Sequence, residues 1–143
     1  MKCRDGACKS TGTSGTGSFL PGTQIVMSDK TTRNIEDIRA GDNILSYDTE
    51  KKKIVSSHVS HVFSHEMPGY YVIDNNLKIT ATNPIWANDQ WVYPLQLNIG
   101  DQMMDSNGNA DYVDSIYYVE RDVTVYNLQV EKTYTYFAEF LLV

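Results

Sequence analysis

From Ser18 onward the chain alternates short apolar groups with turn signals. The groups run Gln24 to Met27, Asn43 to Tyr47, Val55 to Ser64, Tyr70 to Ile73, Leu77 to Ala81 and Ile85 to Val92, then Gln102 to Met104, Tyr112 to Val119, Thr124 to Val130 and Tyr134 to Leu142. Their lengths and their β-branched and aromatic content predict strands rather than long helices. Pro21-Gly22, the DSNGNAD stretch from Asp105 and the charged pair Arg121-Asp122 punctuate the pattern, as turn residues do where backbone conformations with positive φ are required. NIEDIRAGD from Asn34 predicts one short helical turn, ended by Gly41, with Asp42 opening the next turn. The pattern as a whole predicts a mainly β domain built from hairpins.

A repeat runs through this pattern. IVMSDK from Ile25 aligns with IWANDQ from Ile85, and IRAGDNIL from Ile38 aligns with LNIGDQMM from Leu97. In each copy apolar residues take core positions and Gly-Asp makes a turn before a strand. Two copies are too few for a solenoid array. They predict two pseudo-symmetric β halves packed on each other; coincidental turn chemistry is the competing explanation.

Length and charge narrow the choice of partners. A chain of 143 residues has room for one ordinary domain. Its formal net charge is −6, and because Lys2, Arg4 and Lys9 outnumber Asp5 near the start, the part from Ser18 onward is more acidic still. That field disfavours a nonspecific nucleic-acid groove, and Lys51-Lys52-Lys53 reads as a solvated turn. No apolar run approaches the roughly 20 residues that cross a bilayer, and no secretory signal opens the chain, so no membrane partner is expected and no compartment is indicated. STGTSGTG, from Ser10 to Gly17, holds no large apolar side chain and three glycines. Residues 1–17 therefore read as a flexible upstream peptide and residues 18–143 as the folded domain. Cys3 and Cys8 are the two cysteines; a local disulfide and two reduced thiols both fit their position.

The candidate chemistry sits at the boundary. Attack of the Ser18 hydroxyl on the Gly17 carbonyl would form an ester and free the Ser18 amine, an N-to-O acyl shift promoted by proximity and strain. A serine hydroxyl is a weak nucleophile, so the shift needs proton transfer and oxyanion donors. Thr80 and Asn83, in TATN after a predicted strand, can supply a hydroxyl and an amide; a purely structural turn uses the same residue types. His58, His61 and His65 would cluster on a helix but diverge along the strand that VSHVF predicts, so they read as surface or structural histidines rather than metal ligands. Asp42 and Asp101 read as turn residues.

Four segments in order, SFLPGTQI from Ser18, IEDIRAGDNILSYD from Ile35, LKITATNPIWAN from Leu77 and VYNLQVEKTYTYFAEFLLV from Val125, resemble the Hint family, the shared fold of inteins, bacterial intein-like domains and the autoprocessing part of Hedgehog proteins. The resemblance covers Ser18 to Val143 and is nearest to intein-like members. It implies a compact all-β fold, self-processing with no cofactor and peptide segments in cis as the substrate. Ser18 matches the family's nucleophile, the Gly17–Ser18 bond its scissile junction, and Thr80 its middle-motif threonine. Asn83 stands where the family usually has a histidine, and Asn127 and Tyr134 stand where the late motif usually has an acidic residue and a histidine. Asparagine does not perform histidine's proton transfer near neutral pH. The family's chains commonly continue to a His-Asn pair, whereas this sequence ends at Val143, so complete splicing is not expected of it. Two functions follow from the resemblance. One is an impaired self-processing domain limited to cleavage at Gly17–Ser18. The other is a degenerate structural or protein-binding module on the same fold.

Overall fold

The computed structural model describes residues 17–143. The reading of the segment before Gly17 and the pairing of Cys3 with Cys8 lie outside the described residues. Twelve strands appear among the described residues: β1 (Gln24–Val26), β2 (Thr32–Asn34), β3 (Asn43–Asp48), β4 (Lys53–Ile73), β5 (Leu77–Ile79), β6 (Ile85–Ala87), β7 (Gln90–Val92), β8 (Gln102–Met104), β9 (Ala110–Tyr112), β10 (Ile116–Val130), β11 (Phe137–Ala138) and β12 (Leu141–Leu142). The helical content among these residues is two single turns of 3-10 helix, Ile35–Asp37 and Pro94–Gln96.

The strands form three antiparallel sheets, ordered β12-β11-β1-β2, β10-β4-β3 with β5 on β4, and β7-β6-β8-β9. The expected halves are present, and the turns that build them match bond for bond. Gly41 donates its amide to Val59 O at 2.7 Å and Val59 donates back to Asp42 O at 2.9 Å. In the second half Gly100 donates to Val113 O at 2.8 Å and Val113 to Asp101 O at 2.9 Å. Asp42 and Asp101 each accept the amide three residues earlier, from Arg39 and Asn98, at 2.8 Å. The glycines sit at φ +96 and +94, a region that L side chains rarely adopt. Gly-Asp recurs because the turn needs glycine's backbone and aspartate's oxygen together.

The strand boundaries differ from expectation in two places. Val55–Ser64 and Tyr70–Ile73, expected as separate strands, are one continuous β4 through Pro68-Gly69. Proline lacks an amide donor. The β4–β10 register shifts between the Met67–Val123 and Gly69–Glu120 pairs, so Arg121 and Asp122, expected as a break, form a bulge opposite Pro68 and the ladder continues. The last segment, expected as one strand from Tyr134 to Leu142, is a turn followed by the tight β11–β12 hairpin. Glu139 and Phe140 at its tip have φ +48 and +67, and this reversal folds the chain back on itself.

The main core gathers Phe19, Ile25, Ile44, Ile79, Ile85, Met103, Leu128 and Tyr136 from both halves. A second cluster joins Val26, Leu45, Tyr47, Phe137 and Leu142. Phe19, the residue after Ser18, is wholly buried. The Ser18–Phe19 segment is thereby anchored in the main core.

Candidate functional site

Phe19 bridges β5 and β10, opposite Ile79 on one side and Tyr126 on the other. Its amide donates to Tyr126 O at 3.0 Å, and the Tyr126 amide donates back to Phe19 O at 2.8 Å. One residue earlier, the Thr80 amide donates to Ser18 O at 2.9 Å. Ser18 is thus held by backbone bonds on either side of it, and it is fully buried. Among the described residues its Oγ has no hydrogen-bond partner of ordinary geometry. A buried hydroxyl without a partner is costly and uncommon.

Thr80 is also fully buried, and its hydroxyl lies 3.4 Å from that of Thr82. Both face Gly17: a β-carbon placed on that glycine would stand 2.5 Å from Thr80 Oγ1 and 2.8 Å from Thr82 Oγ1. Asn83 flanks the same residue, its Cβ 3.8 Å from that position. The Asn83 side-chain amide donates to Pro84 O at 2.8 Å, so TATN wraps the Gly17–Ser18 junction as a turn.

On the other side stands a tyrosine that the sequence reading had not singled out. Tyr136 is almost fully buried and packs edge-on against Phe19, with ring centroids 5.8 Å apart. Its hydroxyl donates to Asn127 Oδ1 at 2.7 Å, and that oxygen also accepts the Leu128 amide at 2.8 Å. Burial raises the Tyr136 pKa well above its ordinary 10.0, against smaller lowering contributions from the Leu128 backbone and the Ser18 side chain. The tyrosine proton is directed to Asn127, and the Ser18 side chain is the other polar group acting on the phenol.

Ser18, Thr80, Asn83 and Gly17 are therefore together, and Asn127 joins them through Tyr136. Tyr134 is not among them. It lies on the turn after β10 with φ +60 and is 62% exposed. The turn breaks the alternation of an extended strand, so the buried hydroxyl belongs to the tyrosine two residues on. Val143 pairs with Tyr136 by backbone bonds of 2.9 and 3.2 Å, which brings the last residue of the chain beside the same group. The three histidines are exposed along β4, and no cluster of three or more His, Cys, Asp or Glu among the described residues is placed to hold a metal ion.

Residues 25–140 match the profile of the family described as the pretoxin Hint domain. The chain belongs to the pretoxin Hint domain family. Among solved structures, this Hint domain is similar to the bacterial intein-like domain from Clostridium thermocellum, with a TM-score of 0.83 and 26% identity over 90% of this chain and 99% of that one. It is also similar to the DnaB intein from Synechocystis sp. PCC 6803, with a TM-score of 0.78 and 18% identity over 90% of this chain and 97% of the other. The gp41-1 intein gives a TM-score of 0.72 at 14% identity, over 90% of this chain and 98% of that one. No curated protein matches the chain significantly. The Hint fold and the intein-like family expected from the four ordered segments are both present.

Two residues of the Hint domain's candidate site escaped the sequence reading. Thr82 sits two positions from Thr80 in TATN, and the TxT spacing was the available signal. Tyr136 sits two positions from Tyr134, and YTY on a continuous strand would have pointed both rings the same way. The turn makes them differ.

Proposed function

We propose that residues 18–143 form a self-processing domain acting on the peptide bond that joins them to residues 1–17, with the substrate in cis. In the reaction, Ser18 Oγ bonds to the Gly17 carbonyl carbon, the Gly17–Ser18 C–N bond breaks, and the hydroxyl proton passes to the departing Ser18 amine. Attack by water on the resulting ester would release residues 1–17 with a Gly17 carboxylate and return the Ser18 hydroxyl. The observation that carries this reading is the buried Ser18 oxygen, without a partner of ordinary geometry among the described residues and adjoining a glycine pressed against Thr80. Thr80 and Asn83 orient the junction, Tyr136 and Asn127 line its other side, and Tyr134 takes no part.

The reaction is slow in this chain. Asn83 replaces the group that would accept and return a proton, and burial keeps the Tyr136 phenol protonated, so neither serves as the general base at neutral pH. This same feature favours the second reading, a binding module that keeps the fold without the chemistry. Incubating the whole chain with and without hydroxylamine and following intact mass separates the two. Self-processing gives hydroxylamine-dependent release of residues 1–17 that is abolished by Ser18→Ala and accelerated at least about tenfold by Asn83→His. Retention of full mass by both the parent and the Asn83→His variant would leave the binding module.

A further inference from the structure

The hydrogen bond between Tyr136 and Asn127 has a direction, and a third group fixes it. Leu128 donates its amide to Asn127 Oδ1 at 2.8 Å, so the atom facing Tyr136 is the carboxamide oxygen, which has no proton to give. Tyr136 therefore donates across the 2.7 Å contact, and its one hydroxyl proton is committed there. Toward any other neighbour the phenol oxygen can only accept. Ser18 is such a neighbour: burial dominates the raised Tyr136 pKa, and the Leu128 backbone and the Ser18 side chain act against it. A hydroxyl donating to the phenol oxygen acts in that sense, because it favours the ionised form. Both residues are buried, and Phe19, ring against ring with Tyr136 at 5.8 Å, ties their two segments together.

The backbone of Ser18 is held while its hydroxyl is free to turn. Its carbonyl accepts the Thr80 amide at 2.9 Å, and the next residue pairs with Tyr126 in both directions. The hydroxyl has one proton and two lone pairs. With the proton pointing at Tyr136, both lone pairs stay open to the Gly17 carbonyl carbon. With a donor pointing at Ser18 instead, one of them is occupied.

We propose that Tyr136 is a positioning residue for Ser18: its oxygen accepts the Ser18 hydroxyl proton, and Asn127, by taking the phenol's own proton, sets that direction. Rotation about the Ser18 Cα–Cβ bond completes the contact, since Oγ has no partner of ordinary geometry among the described residues as it stands. The pair orients the nucleophile without deprotonating it. This inference rests on the self-processing reading for its use, but the hydrogen-bond direction belongs to the folded chain and is measurable without cleavage.

Nuclear Overhauser contacts of the Tyr136 hydroxyl proton in the full chain read the direction. In the parent that proton is expected to contact the Leu128 amide proton, which shares its acceptor, and in Asn127→Ala to transfer to the Ser18 β-protons. Asn127→Asp, which keeps an oxygen for both donors, is expected to keep the parent pattern. Contact with the Ser18 β-protons in the parent, no transfer in Asn127→Ala, or rapid solvent exchange of the parent's proton would each overturn the proposal. Release of residues 1–17 with hydroxylamine is then followed by intact mass in the Asn83→His chain. Adding Tyr136→Phe is expected to slow release at least about threefold, and Asn127→Ala at least about threefold more, because the phenol then turns its proton onto Ser18. Combining the two is expected to return the rate to that of Tyr136→Phe within about twofold, whereas packing damage at Leu128 would persist in the combination. Tyr134→Phe is expected to leave the rate unchanged. Equal rates for Asn127→Ala and Tyr136→Phe, or a combination slower than either, would remove the positioning role. Absence of release from the Asn83→His chain counts against self-processing and leaves the proton contacts to decide the hydrogen-bond direction.

Discussion

Tyr136 carries a buried phenol beside a buried serine, and its proton is given to Asn127. Burial holds its pKa above the ordinary 10.0, so the unfolded chain ionises this tyrosine at a lower pH than the native chain does. The sign follows from linkage: the stabilisation is fully present below about pH 10 and is lost as pH climbs above it. Tyr136→Phe is expected to cost about 0.5–1.5 kcal/mol at neutral pH through the lost hydrogen bond and to flatten the fall in urea midpoint between about pH 9 and pH 11. Tyr47 is also raised, first by burial and then by Asp89 and Asp48, so part of the slope remains. Identical alkaline slopes for parent and variant would remove Tyr136 from this account. At this scale the sequence showed which residue types were available: Ser18, Thr80, Asn83 and Asn127 were all legible from motif order. Tyr136 was not, because a single positive-φ turn decides which of two tyrosines faces inward.

Among the elements, the paired Gly-Asp turns are the clearest product of local chemistry. Gly41 and Gly100 occupy the same backbone region, at φ +96 and +94, and among the described residues no heavy atom beyond their chain neighbours lies within 4 Å of the β-carbon each would gain. Replacing either by alanine therefore tests backbone strain with little packing loss. Each substitution is expected to cost about 1–2 kcal/mol, and the two costs should agree within about 0.5 kcal/mol, as thermal or urea unfolding will measure. A large inequality would mean that the halves share a sequence motif without sharing its energetics. β4 shows the opposite case. Its continuity through Pro68-Gly69 depends on the bulge at Arg121-Asp122, and those residues lie more than fifty positions away in the chain. Propensity read along one strand breaks at proline; only the partner strand reveals how the break is bridged.

The segment around Thr135 is fastened to β3 by a buried polar network. Thr135 Oγ1 accepts the Tyr47 amide and donates to Tyr47 O, both at 2.9 Å, while Ser46 Oγ donates to Thr135 O at 2.8 Å. Removing that hydroxyl strands two buried backbone groups. Thr135→Val, nearly isosteric, is expected to destabilise by about 2–4 kcal/mol in urea unfolding; a cost below about 1 kcal/mol would show that the network does not hold the segment. By itself the sequence determined the β class, the two halves, the turn chemistry and the place of Ser18 just ahead of the first strand, because strand periodicity and turn preference act between near neighbours. Tertiary structure alone decided that Thr80 closes on Gly17, that Tyr136 rather than Tyr134 meets Asn127, and that Val143 pairs with Tyr136. Those contacts join segments far apart in the chain, and their geometry is set by close packing of a shared core.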